Sequence, residues 1–177
     1  MPTYIALLRG INIGGHNKLP MADLKKLLRE FGLKRIRTYI QSGNVVFDSE
    51  ETDKPGLAEK IRVAVNQKHH FAPQVMLLSR EELSRAISAN PYPEAEEAPK
   101  SVHLYFLSAK PENPDLEKLE KLKRSSEHFA LQGRVFYLQA PEGIGRSKLA
   151  AAVEKALGVP VTARNWRTVR KLEEMVA

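Results

Sequence analysis

Short apolar runs alternate with stretches of helical spacing in the order strand, helix, strand, strand, helix, strand, and this order constrains the fold more than any other feature. "TYIALLR" (residues 3–9) is a short apolar run ended by turn residues, the pattern of a buried strand. Leu24, Leu27, Leu28 and Phe31 then recur at helical spacing, with Pro20 expected in the first turn and Gly32 as the stop. "KRIRTYI" reads as a second strand, "QSGN" as a turn and "VVFD" as a third strand. Lys54 to His70 reads as a helix with Leu57, Ile61, Ala64 and Val65 on one face, and "QVMLLS" as a fourth strand. Ser79 followed by Glu82 has capping-box spacing and starts another helix.

"NPYPEAEEAPK" (residues 90–100) interrupts this pattern. Three prolines and three glutamates without apolar periodicity read as a linker. Beyond it the pattern restarts. "SVHLYFL" is a strand, Leu116, Leu119 and Leu122 mark a helix, and "EHFALQ" with "RVFYLQ" forms a hairpin across Gln132 and Gly133. Ser147 to Leu157 is a helix ended by Gly158, and "VPVT" near Val161 supplies at most a short strand. A last helix starts near Asn165 with Trp166, Val169, Leu172 and Val176 inward. The expected fold is therefore α+β, a duplication of ferredoxin-like, split βαβ units, with antiparallel-rich sheets and helices packed on one face. The expected division is 1–89 for the first unit, 90–100 for the linker and 101–177 for the second.

At 177 residues the chain can bury a sizeable core. It has no cysteine, which excludes disulfides, thiolate metal sites and cysteine nucleophiles and fits a reducing cytoplasm. No apolar run is long enough for a membrane span or an export signal, so no membrane partner is expected and the cytoplasm is the expected location. The formal net charge is +7, which suits contact with nucleic acid, nucleotides or other anions. The five histidines show no metal spacing, and no metal or cofactor is expected. The oligomeric state is not set by the sequence, a monomer being the default.

The first candidate site follows from topology. In a split βαβ unit the exit of strand one and the turn between strands two and three lie at the same end of the sheet. This places Gly10, Asn12, Gly14, Gly15, His16 and Asn17 beside Gln41, Ser42 and Asn44, with Arg9 and Lys18 flanking and His69 and His70 approaching on the second helix. Successive amides in a glycine-rich turn can bind an anion, aided by the following helix. The plainer reading is that Gly14 and Gly15 supply positive φ angles while Asn12 and Asn44 hydrogen-bond the turns. "RGINIGG" is not the dinucleotide pattern G-x-G-x-x-G.

A second candidate for anion binding is "EGIGRSK", where Gly145, Arg146, Ser147 and Lys148 lead into a helix, although no Walker A pattern is present. The plainer reading makes Ser147 an N-cap. "TARNWRTVRK" adds Arg164, Asn165 and Arg167, and its helix has a basic face formed by Arg167, Arg170 and Lys171. His103 and Tyr105 alternate with Val102, Leu104 and Phe106, Tyr137 alternates with Phe136, and these rings would form a small stacking platform for RNA if no layer covered them.

"LLRGINIGGHNKLPMADLKKLL" followed by "RTYIQSGNVVF", with the ending "GRSKL…EKALGVPVTARNWRTVRKL", resembles a bacterial family known as domain of unknown function 1697. The resemblance implies a duplicated α/β fold of ferredoxin-like subdomains. It implies no activity and carries over no catalytic residue. Three functions fit these observations. The first is a non-catalytic module binding an anionic ligand, a nucleotide or nucleic acid. The second is an enzyme acting on a phosphate-bearing small molecule, with the Gly10–Lys18 loop holding phosphate and His16 or His69 carrying a proton. The third is a protein-interaction module whose polar loops are structural.

Overall fold

The computed structural model describes residues 1–177 and contains two compact units. One comprises Met1–Arg85 together with Leu172–Ala177; the other comprises Ala86–Lys171.

The first unit contains β1 (Thr3–Arg9), α1 (Met21–Glu30), β2 (Lys34–Tyr39), β3 (Asn44–Asp48), α2 (Lys54–His69) and β4 (Gln74–Ser79). Helix α3 (Arg80–Ser88) follows and crosses the division between the units. The sheet order is β2-β3-β1-β4, every pair antiparallel. Strand β3 thus separates β1 from β2, as the split βαβ plan requires. Tyr4, Ala6, Leu8, Val45 and Phe47 form one core with Leu24 and Leu28 of α1 and Leu57, Ile61 and Val65 of α2. The alternating residues Ile5, Leu7 and Val46 are also fully buried, so β1 and β3 read as continuous apolar runs.

Local chemistry fixes the helix ends. Ser79 Oγ accepts from the Glu82 amide at 3.1 Å, and the Glu82 carboxylate accepts from the Ser79 amide at 2.9 Å, completing the expected capping box. Asp53 caps α2 by accepting from the Gly56 amide at 3.1 Å. Pro20 departs from expectation. Its φ of −58° would suit a helix, but its ψ of 140° makes it the N-cap outside α1. Phe31 also departs, because the helix has ended there and the ring is 41% exposed.

The second unit contains β5 (Val102–Leu107), α4 (Leu116–Leu122), β6 (His128–Gln132), β7 (Val135–Gln139), α5 (Lys148–Leu157) and β8 (Val161–Asn165). Helix α6 (Trp166–Val176) begins in this unit, and its residues from Leu172 onward belong to the first. The sheet order is β6-β7-β5-β8, again antiparallel throughout, so the arrangement of the first sheet is repeated. Tyr105, Phe136 and Leu138 pack with Leu119 of α4 and Leu149, Val153 and Leu157 of α5. Strand β8 is a full five-residue partner of β5. Residues 90–100 hold a 3-10 turn at Pro93–Glu96 and the start of another at Pro99–Ser101, and Ala95 is completely buried.

Candidate functional sites

The loop after β1 and the β2–β3 turn do meet, as the topology requires. Ile13 and His16 exchange backbone hydrogen bonds at 3.2 and 2.8 Å, closing a two-residue turn. Gly14 and Gly15 fill it with φ of +54° and +81°, values that glycine adopts without steric cost. The Asn12 amide donates to the Asn17 carbonyl, extending this small hairpin by one more bond. The Asn12 carboxamide then ties the loop down. It accepts from the Leu19 amide at 2.7 Å and donates to the Leu19 carbonyl at 3.0 Å and the Gln41 carbonyl at 2.8 Å. Asn17 Nδ2 donates to the Gly10 carbonyl at 2.9 Å. In the facing turn, Asn44 Nδ2 donates to the Tyr39 carbonyl and to Ser42 Oγ. Gly43 O accepts from the Leu8 amide at 2.8 Å.

The loop therefore supports itself, and the amides of Asn12, Ile13, His16 and Leu19 are bonded internally. Gly14, Gly15, His16, Asn17 and Lys18 are exposed at its rim, and the His16 and Lys18 side chains have no hydrogen-bond or ion-pair partner. Arg9 Nη1 donates to Gln74 Oε1 at 3.3 Å. His70 caps α2 with φ of +64°, and neither it nor His69 bonds to the loop.

In the second unit, the pairings Val102↔Gln139 and His103↔Asn165 put the start of β5 and the ends of β7 and β8 at one end of the sheet. A cleft of about 640 Å³ opens beside it, lined by Ala98, Pro99, Lys100, Ser101, Pro141, Glu142, Gly143 and Arg167. The Ala140 amide donates to the Ser101 carbonyl at 2.7 Å, joining the two walls. Glu142 is engaged by Arg124, whose Nη1 lies 2.9 Å from its carboxylate and whose Nη2 donates to the Arg146 carbonyl. Lys100 and Arg167 are exposed and have no ion-pair partner. Two cations thus border the cleft, while its carboxylate is already neutralised.

Of the residues the sequence groups here, Arg167 lines the cleft. Ser147 is the N-cap of α5, accepting from the Ala150 amide at 3.0 Å. Asn165 does the same for α6, accepting from the Thr168 amide at 2.9 Å. Gly145 and Arg146 are exposed on the connection just after the lining residues Glu142 and Gly143, and Lys148 is exposed at the first position of α5. Arg164 lies on β8, where burial pulls its guanidinium down to about 10, still cationic at neutral pH. Lys100 escaped sequence reasoning because it closes a proline-rich stretch without periodicity, and Ser101 because it reads as the start of the following strand.

The stacking platform is not available. Tyr105 and Tyr137 are 5% and 1% exposed, with Tyr105 in the core under α5. The Tyr137 hydroxyl donates to the Ala86 carbonyl at 2.6 Å. Burial also pushes both phenols up to about 12. His103 is held down to about 4 by the same desolvation, and its Nδ1 has no partner.

The model for proteins of unknown function DUF1697 matches residues 1–137, more than three quarters of the chain. The chain belongs to the DUF1697 family. The match takes in the whole first unit apart from its C-terminal segment, and the second through most of β7. Among solved structures, this DUF1697 member is similar to the conserved bacterial protein SP0830 from Streptococcus pneumoniae. The two are 26% identical, with a TM-score of 0.71 over 99% of each chain. No curated protein matches the chain. No helix is long and apolar enough to cross a membrane, and no group of three or more His, Cys, Asp or Glu side chains could hold a metal ion.

Proposed function

We propose that the chain is a non-catalytic binding module that holds an organic anion in the second unit's cleft. One observation carries the reading: Lys100 and Arg167 border the same cleft without partners, while Glu142 beside them is already paired with Arg124. An anion entering there meets two unused cations and no free carboxylate. The volume of about 640 Å³ falls in the range of small-molecule sites. Pro99, Pro141 and Ala98 supply apolar wall for the uncharged part of the ligand. Binding is favoured over catalysis because the lining pairs no nucleophile with a base. The Ser101 hydroxyl donates to the Ala98 carbonyl at 2.6 Å.

Titration calorimetry with a nucleoside monophosphate and with inorganic phosphate tests this reading. We expect saturable binding that Arg167→Ala and Lys100→Ala each weaken by about tenfold or more, the loss of one charge-assisted hydrogen bond. Unchanged affinity in both variants, or no binding of either anion, overturns the proposal.

A further inference from the structure

The first unit carries an apolar tip that neither packing nor backbone preference explains. Ile13 and Ile40 are 61% and 51% exposed. Ile13 opens the Gly14–Gly15 turn and Ile40 opens the β2–β3 turn, and the Asn12–Gln41 hydrogen bond joins their immediate neighbours. Ile40 has a φ of +50°, in the left-handed region where glycine and asparagine are at ease and a β-branched residue is strained. The turn is held there by the Leu8–Gly43 and Asn44–Tyr39 bonds. Folding alone would favour asparagine or glycine at this position, and solvent exposure would favour a polar side chain.

The surroundings indicate what the tip meets. Residues 1–22 and 31–47, which supply both turns, contain no aspartate or glutamate. They contribute Arg9, His16 and Lys18 around the Ile13 turn, within a chain of net charge +7. A second copy would set like charge against like. Exposed Asn17, Gln41 and Ser42 share the tip. Such uncharged hydrogen-bonding groups suit sugar and base edges, whereas a bilayer interior would have to strip their water.

We propose that this end of the first unit contacts double-stranded nucleic acid, with Ile13 and Ile40 as apolar wedges and Arg9, His16 and Lys18 meeting the flanking phosphates. Aliphatic side chains on narrow loops can enter a minor groove and part a base step while cations hold the backbone. The inference is independent of the cleft in the second unit.

Fluorescence anisotropy with a short labelled DNA duplex tests it, alongside vesicles containing phosphatidylserine. We expect duplex binding that weakens steeply with salt. Ile13→Ala and Ile40→Asn are expected to reduce affinity about tenfold at fixed salt while leaving the salt slope unchanged. Lys18→Ala is expected to make the slope shallower. Ile40→Asn is also expected to raise the melting temperature, because it removes strain and exposed apolar surface together. No duplex binding at low salt, wild-type affinity in both isoleucine variants, a lower melting temperature for Ile40→Asn, or isoleucine-dependent binding to vesicles alone overturns the proposal.

Discussion

Gly43 shows how closely the two turns of the first unit are built together. A Cβ there would lie 2.8 Å from Leu8 Cβ and 2.9 Å from Ile11 Cδ1, and φ is +91°. Both neighbours are buried, so neither can give way cheaply. Gly43→Ala is expected to cost about 2 kcal/mol or more through combined backbone strain and overpacking. Urea unfolding would measure it; wild-type stability would mean that the loops can move apart. Glycine and asparagine content made the turns legible in the sequence. Their pairing was legible too, since strand order alone sets which turns share an end. That Asn12 hydrogen-bonds its own loop was legible as well, but its bond to Gln41 was not, because that partner is 29 residues away and no periodicity reports such a bond.

At the scale of elements, most strands and helices follow from apolar spacing, because both sheets bury continuous apolar runs and the caps are local chemistry. The exceptions have local causes. Phe31 keeps helical spacing in the sequence after the backbone has left the helix. Strand β8 is obscured by Pro160 before it and by the polar residues Thr162, Arg164 and Asn165 within it. Strand β5 holds a titration prediction. His103 shares a face with Tyr105 and pairs with Leu138 and Asn165, and burial holds its imidazole down to about 4. The unfolded chain binds the proton near the ordinary value of about 6.5. Between these values the unfolded state carries more protons, so stability falls as pH drops from about 6.5 to 4 and is fully present above. This residue alone should remove on the order of 2–3 kcal/mol between pH 7 and pH 4. His103→Phe should flatten that part of the urea-midpoint profile; identical pH profiles for the two proteins would show that the ring is not held neutral.

For the whole molecule, composition and contact give different divisions. Prolines and glutamates single out residues 90–100, whereas the contacts divide the chain within α3 and return the last six residues to the first unit. Composition reports local backbone preference. It does not report which core the apolar face of a helix will meet. The periodicity of α6 identifies Leu172 and Val176 as inward, and they are 0% and 7% exposed, but it cannot name their neighbours. In the first unit, Arg37 Nη1 donates to the Met175 carbonyl at 2.5 Å, tying β2 to this returning segment. Ending the chain after Lys171 removes both buried side chains and that bond. At about 1.5–3 kcal/mol for each apolar side chain, the expected loss is about 3–6 kcal/mol. Because these residues belong to the first unit, its sheet should lose the most protection. Hydrogen exchange on the shortened chain should show faster exchange in β1, β2 and β3 than in β5 and β7, relative to the full chain. Equal acceleration in both sheets, or none in either, would show that the returning segment does not support the first unit in particular.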